Sequence, residues 1–154
     1  MNDRLLTEHQ IQAIFVQEIK YEYRLRVDFI PALFYAVVNG FWAAGKGNAK
    51  FALMQKYKSE GMNPGVADLH YDQPRGQFTK LVIEFKHGDK RNEENGGVSS
   101  EQIEYLTKIR PYAFTAVCYS PEEAKKVFDW YMSLPVFGVD EKWDIQEILD
   151  GVLY

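Results

Sequence analysis

The run Leu81-Val82-Ile83-Glu84-Phe85-Lys86 places one carboxylate and one ammonium group inside an otherwise apolar stretch. Successive side chains of a β-strand point to opposite faces, so Glu84 and Lys86 share one face and the apolar residues Leu81, Ile83 and Phe85 share the other. The run therefore predicts a strand that carries an acid and a lysine side by side. For this run alone, a surface salt bridge between the two charges is the simpler interpretation.

A second strand is predicted just before this one. Residues 66–71 and 78–86 both have strand patterns, and residues 72–77 between them have the composition of a hairpin turn. Alternation gives the first strand an apolar face of Ala67, Leu69 and Tyr71. Asp68 then lies on the opposite face, so two carboxylates and a lysine can converge across the paired strands. Because close carboxylates repel each other, this arrangement favours a cation between them, and hard oxygen ligands suit Mg²⁺ or Mn²⁺.

The rest of the chain alternates helices and strands. Thr7-Glu8-His9-Gln10 has the form of a capping box and predicts a helix from about Glu8 to about Arg24. Further predicted elements are helices near 48–60, from Ser99–Gln102 to about Arg110 and over 121–132, and a buried strand at 114–119. Residues 27–47 predict short strands and loops, and 87–98 predict a flexible loop. This order predicts an α/β fold with a mixed central sheet and flanking helices.

Composition limits the possible classes of protein. With 154 residues, of which 46% are hydrophobic, the chain can form one domain with a single core. A formal net charge of −4 argues against a protein that holds nucleic acid mainly by a large basic surface, but it allows an enzyme whose site is itself acidic. Residues 133–154 carry five acids and one lysine, so we expect a domain over 1–132 and an acidic C-terminal tail. Apolar residues at helical spacing suggest that the tail forms a helix and packs on the domain or on a dimer partner.

Other features concern the setting of the protein. The one cysteine, Cys118, excludes a disulfide framework, and no apolar stretch approaches the ~20 residues of a membrane span. We therefore expect an unprocessed cytoplasmic protein without a membrane partner, in a bacterial or phage-infected host cell. Gly45-Lys46-Gly47 lacks the rest of a phosphate-binding loop, so no nucleotide cofactor is expected.

The first helix supplies another candidate site residue. At about 100° per residue, Glu8 falls within roughly 20° of Phe15 and Ile19, so an acid lies on the apolar stripe of the helix. A charge on that stripe needs a partner. An N-terminal acid that only complements the helix dipole is the alternative interpretation.

Together these motifs carry a resemblance to a known family. Gly65-Val66-Ala67-Asp68-Leu69, Ile83-Glu84-Phe85-Lys86 and Ser100-Glu101-Gln102 resemble the D…(D/E)-x-K…Q signature of the PD-(D/E)XK nuclease superfamily. More narrowly, the chain resembles the virus-type replication-repair nuclease domain, VRR-NUC, over about Thr7 to Met132. That family also has a glutamate on its first helix, here Glu8, and an Asn-Gly step, here Asn39-Gly40. Ala67 departs from the pattern, since the family often has proline before the aspartate.

The resemblance implies a role for each matching residue. The metal ligands would be Glu8, Asp68, Glu84 and the backbone carbonyl of Phe85. Lys86 would orient or help to deprotonate the attacking water, and Gln102 would steady that water or Lys86. Cleavage would leave a 5′-phosphate. From the sequence alone, Gln102 equally completes a capping box with Ser99, and a capping role is the alternative.

The implied function is a Mg²⁺- or Mn²⁺-dependent DNA endonuclease. Small members of the family that stand alone tend to act on branched DNA, and cutting both strands of a four-way junction needs two active sites, which implies a homodimer. The predicted DNA contacts are Asn39, Lys50, Lys90 and Arg91, with Lys56 and Lys58 as further candidates, although solvated surface charge explains each of them as well. Two alternatives stay open: a flap or nicking nuclease of phage or plasmid replication, and a non-catalytic DNA-binding module with the nuclease fold.

Overall fold

A computed structural model describes residues 6–37 and 48–137 of the chain. The helices in this part are α1 (Glu8–Glu22), α2 (Asn48–Ser59), α3 (Ser100–Ile109) and α4 (Pro121–Ser133). The strands are β1 (Phe34–Ala36), β2 (Leu69–Tyr71), β3 (Lys80–Phe85) and β4 (Ala113–Cys118). Asn39 and the acidic residues of the tail lie outside the described residues, as does the side chain of Lys50, whose backbone belongs to α2.

The described strands form one mixed sheet in the order β1-β2-β3-β4. β1 and β2 pair antiparallel, as do β2 and β3, whereas β3 and β4 are parallel. A parallel pair needs a crossover connection, and α3 lies in the segment that joins β3 to β4. The predicted mixed α/β fold with flanking helices is therefore confirmed.

Apolar residues cover both faces of the sheet. On one face, α1 and α4 pack an aromatic core against Leu69, Ile83 and Phe85. On the other face, Val82 packs with Ala67 and Ala113 beneath three side chains of α3, which are Tyr105, Leu106 and Ile109. Because both faces are covered, β3 is buried along nearly its whole length. Glu84, near its carboxyl end, and Lys86, directly after the strand, are buried as well.

Two capping boxes start helices where the sequence predicts them. Thr7 Oγ1 accepts a hydrogen bond from the Gln10 amide at 3.3 Å, and Gln10 Oε1 accepts one from the Thr7 amide at 2.9 Å. Ser99 and Gln102 make the same exchange at 3.3 and 3.0 Å. These boxes fix the first turns of α1 and α3 next to the end of β3, and so position Glu8 and Gln102.

The strand before the turn differs from its prediction. β2 spans three residues, and the chain bends at Asp68 instead of continuing the strand back to 66. As a result Ala67 packs on the α3 face with Val82, although alternation predicts it on the face of Leu69 and Tyr71. The bend brings the Asp68 carboxylate to the backbone of β3, where it accepts a hydrogen bond from the Phe85 amide at 2.9 Å.

The segment after Lys86 is more ordered than the predicted flexible loop. It contains two short 3-10 turns, Gly88–Asn92 and Glu94–Gly97. Asn95, Gly96 and Gly97 have φ values of 55°, 64° and 73°, a region that glycine and asparagine tolerate best. The Tyr119 hydroxyl donates to the Gly96 carbonyl at 2.9 Å and ties the second turn to the end of β4.

Arg75 holds the hairpin turn to distant parts of the chain. Its side chain is 1% exposed, and its guanidinium donates to the carbonyls of Met132 at 2.7 Å, Leu134 at 3.1 Å and Asp28 at 2.7 Å. Arg75 also forms a β-bridge with Val136. Residues 134–137 therefore pack against the domain, beyond the boundary predicted at 132. Within the described residues, no helix is both long and apolar enough to cross a bilayer.

Candidate active site

The end of β3 carries a buried ion pair. Glu84 is 1% exposed and Lys86 is 7% exposed. Lys86 Nζ lies 2.6 Å from Glu84 Oε1, a charge-assisted hydrogen bond. Acids and lysines are almost never fully buried unless they are paired, and a buried pair still pays a desolvation penalty. The interpretation of this pair as a solvated surface salt bridge is therefore wrong. Burying the pair costs folding free energy, and this cost calls for an explanation.

Two more carboxylates lie around the same strand end. Asp68 Oδ2 accepts from the Phe85 amide at 2.9 Å, and Glu8 Oε1 accepts from the His87 amide at 3.3 Å. Asp68 lies at the end of β3 because the chain bends before β2. Glu8 lies there because the Thr7 cap starts α1 next to the same strand end. Glu8 from α1, Asp68 from the bend before β2 and Glu84 from β3 thus lie together at the end of β3.

These surroundings raise the pKa of Glu84 to about 7. Burial is the main cause, since it penalises the charged form, and the negative charge of Asp68 adds to it. Lys86 opposes the shift, and Glu8 contributes a smaller repulsion. Glu84 Oε2 is buried and has no hydrogen-bond partner among the described residues. An unpartnered carboxylate oxygen beside other acids is an arrangement that a cation would stabilise.

Gln102 caps α3 and also contacts Glu84. Its Oε1 accepts from the Ser99 amide at 3.0 Å and completes the α3 capping box. Its Nε2 donates to Glu84 Oε1. Because the cap holds one end of the amide, the other end is directed at Glu84. The two interpretations left open by the sequence are therefore compatible.

The three predicted carboxylate ligands do not form a single ligand group. Across residues 6–37 and 48–137, no three acidic, histidine or cysteine side chains are grouped closely enough to hold a metal ion. Glu8 and Asp68 instead accept backbone hydrogen bonds from His87 and Phe85. Mg²⁺, however, is usually held by only one or two protein carboxylates and keeps several waters. Asp68 and Glu84, with hard oxygens and the unpartnered Oε2, fit that smaller requirement.

The predicted DNA contacts after β3 have partners within the chain. Lys90 Nζ lies 2.9 Å from Glu93 Oε1. Arg91 pairs with Glu123 and lies over the Tyr119 ring, with the guanidinium carbon 4.3 Å from its centroid. These contacts hold the segment after Lys86 in place, so both residues have a structural explanation.

A cleft of about 470 Å³ opens beside the ion pair. Lys86 and Gln102 line it on one side, and Met54 and Lys58 of α2 line it on another. Sequence reasoning gives Lys58 only as one of several possible phosphate contacts and does not find the cleft. No local pattern reveals it, because its walls come from α2, the segment before β2 and the start of α3.

Comparison with solved structures finds a similar fold in a protein titled "VRR_NUC domain protein". The TM-score is 0.61, the sequence identity is 21%, and the match covers 88% of this chain and 95% of that one. At this identity the likeness shows the fold, so this chain has the fold of a VRR_NUC domain protein, as the sequence resemblance predicts. No family model matches the chain. No curated protein matches it either.

Proposed function

We propose that this protein is a divalent-metal-dependent endonuclease that hydrolyses phosphodiester bonds in DNA. The observation that carries the proposal is the buried Glu84–Lys86 pair, 2.6 Å apart, with Asp68 bonded to the residue between them. A buried acid and lysine at the mouth of a cleft are costly for stability, and such perturbed groups are common at functional sites. The fold shared with a VRR_NUC domain protein adds support.

In this proposal Asp68 and Glu84 would hold the cation, together with the backbone carbonyl of Phe85. Glu8 lies at the same strand end, on α1, and would add a further carboxylate there. A bound Mg²⁺ or Mn²⁺ would supply Lewis acidity at the phosphate oxygens and lower the pKa of the attacking water.

Lys86 is the proposed catalytic cation. Lys86 lines the cleft, where its ammonium group would donate a hydrogen bond to a non-bridging phosphate oxygen and stabilise the charge that develops there. Gln102 Nε2 also donates to Glu84 Oε1, so two hydrogen bonds hold the carboxylate that anchors Lys86 in one orientation. Water adds to phosphorus, the 3′ oxygen leaves with a proton, and the product keeps a 5′-phosphate.

We further propose that the substrate is branched DNA and that a homodimer cuts it. The net charge of −4 favours recognition by a local site over binding along a broad basic surface. Two symmetric cuts across a four-way junction require two active sites with a fixed separation, which a two-fold dimer provides.

The test is a cleavage panel. Purified protein is incubated with labelled four-way junction, 5′-flap and linear duplex in Mg²⁺ or Mn²⁺, with EDTA and an Asp68→Ala variant as controls. The proposal predicts cleavage that both controls abolish, with the junction preferred. If no substrate is cut while DNA is still bound, the protein is instead a non-catalytic DNA-binding module with this fold. Preference for the flap would favour a flap or nicking nuclease.

A further inference from the structure

The cleft beside Lys86 is large enough for part of one DNA strand. Its volume of about 470 Å³ lies within the roughly 300–1,000 Å³ range of clefts that enclose small ligands. It lies between α2 on one side and the start of α3 on the other, with the segment before β2 as a third wall.

Access to the proposed catalytic lysine runs through this cleft. Lys86 is 7% exposed and Glu84 is 1% exposed, so neither reaches the outer surface of the domain. Lys86 and Gln102 are lining residues of the cleft. A phosphate that enters this cleft between α2 and α3 can therefore reach Lys86, and it brings its own sugar and base with it.

The lining suits a nucleotide. Met54 and Met62 supply thioethers, which make favourable contacts with the faces and edges of aromatic rings. Asn63 adds an amide with both donors and an acceptor, which can pair with the polar edge of a base. The charged lining residues are Lys58, Lys86 and Glu101, a positive balance that suits a phosphate.

From these contacts we infer that the cleft receives an unpaired nucleotide next to the scissile phosphate. The inference rests on the proposed function and narrows its substrate class. DNA in which that nucleotide is already unpaired, as at a flap base or a frayed junction centre, enters directly. A continuous duplex must first unpair and unstack it, which costs a few kcal/mol.

The test uses two DNA substrates that differ at one position. Both carry 2-aminopurine at the mapped cleavage site, once opposite its pairing partner and once in an unpaired position. In EDTA, binding of the wild-type protein should raise the fluorescence of the unpaired probe, because leaving the base stack relieves quenching. In Mg²⁺ the unpaired substrate should be cut at least about tenfold faster in single turnover, since it avoids the unpairing cost.

Matched variants test whether the unpaired nucleotide binds in the cleft. Met54→Ala and Lys58→Gln should lower both the fluorescence change and the preference for the unpaired substrate. The controls are Leu53→Ala on α2 and Lys108→Gln on α3. Neither residue lines the cleft, so both variants should leave the fluorescence change and the preference unchanged.

Equal cleavage rates on the two substrates, with no fluorescence change, would overturn the cleft assignment and leave the nuclease proposal intact. Failure to cut either substrate would overturn the nuclease proposal. In that case the fluorescence change in EDTA, with its dependence on Met54 and Lys58, still decides whether the cleft takes an unpaired nucleotide.

Discussion

Glu84 is a carboxylate buried beside the negative charge of Asp68, and its raised pKa follows from that position. Lys86 and Gln102 both bond the same oxygen, Oε1, and leave Oε2 without a partner among the described residues. The site therefore stabilises one oxygen of the carboxylate, and the other is the oxygen that we propose to bind the cation. Without a cation, the buried Glu84 carboxylate lowers the free energy of unfolding.

The destabilisation that comes from burying the charged Glu84 should appear as a pH dependence of the free energy of unfolding. The pKa of Glu84 rises from its ordinary value of 4.5 to about 7 in the folded protein, so between these pH values the folded state binds more protons than the unfolded state. The free energy of unfolding then falls as pH rises from about 4.5 to about 7, by up to about 3 kcal/mol. Urea denaturation in EDTA should show this loss in wild type and lack it in Glu84→Gln.

The control for that measurement is Glu104→Gln, an exposed acid of α3 that pairs with Lys108. It should leave the pH profile of stability unchanged. Added Mg²⁺ should reduce the wild-type loss at neutral pH, since a cation favours the charged carboxylate. Parallel profiles for wild type and Glu84→Gln would show that Glu84 keeps an ordinary pKa.

Gln102 allows capping to be separated from catalysis. Gln102→Glu retains a residue that completes the capping box with Ser99, but it replaces the amide that donates to Glu84 by a second acid. We expect α3 to form as before, with kcat lowered at least about tenfold through loss of an oriented donor and added repulsion. The pH profile of cleavage should shift upward, because the pKa of Glu84 rises further.

The measurements are single-turnover cleavage across pH and helicity by circular dichroism. Ser99→Ala is the complementary variant, since it weakens the cap by about 1 kcal/mol but keeps the amide at 102. Wild-type cleavage by Gln102→Glu would limit Gln102 to its capping role.

At the scale of elements, the helices were predictable because their signals are local. Thr7, Ser99 and Ser120 each cap a helix with bonds to residues three positions later, and those pairs are visible in the sequence. The candidate site was predictable for a related reason, since alternation along β3 places Glu84 and Lys86 together. What the sequence could not show was their burial, because α3 covers that face only in the folded chain.

Long-range contacts explain the differences from prediction. β2 is short because the chain bends at Asp68, whose carboxylate bonds the Phe85 amide 17 residues away. The composition of residues 72–77 predicted only that Arg75 lies in a turn. Its guanidinium also donates hydrogen bonds to carbonyls that are 47, 57 and 59 residues away in the chain. No local pattern in the sequence carries such pairings.

The Arg75 contacts should be important for stability. Lysine at this position keeps the charge but cannot reach three carbonyls at once, which leaves buried polar groups without partners. Arg75→Lys should lower the free energy of unfolding by about 3 kcal/mol or more, measured by urea denaturation. Cleavage per folded molecule should not change, since Arg75 does not line the cleft.

Arg26→Lys is the matched control. Arg75 and Arg26 both pair with the Asp28 carboxylate, at 3.0 and 2.7 Å, but the Arg26 side chain is 46% exposed. A solvated pair of this kind contributes less than about 1 kcal/mol. Equal destabilisation by the two substitutions would contradict the special role of the buried guanidinium.

At the scale of the whole molecule, the proposed homodimer should act on both strands of a junction. If each protomer supplies one active site, mixing wild type with Lys86→Ala yields heterodimers that cut only one strand. The expected result is nicked junction in proportion to the heterodimer fraction, measured on denaturing and native gels. Paired cuts that persist undiminished in the mixture would contradict a site in each protomer.

The most direct test of the central claim is the single-turnover rate of DNA cleavage in Mg²⁺ for wild type, Asp68→Asn, Glu84→Gln and Lys86→Met. Glu104→Gln and Lys108→Met, exposed charges of α3, serve as controls. If the strand end of β3 is a metal-dependent nuclease site, the first three variants lose at least about a hundredfold in rate and the controls none, and EDTA stops cleavage throughout. Cleavage that survives in the Asp68 and Glu84 variants, or in EDTA, would contradict the account.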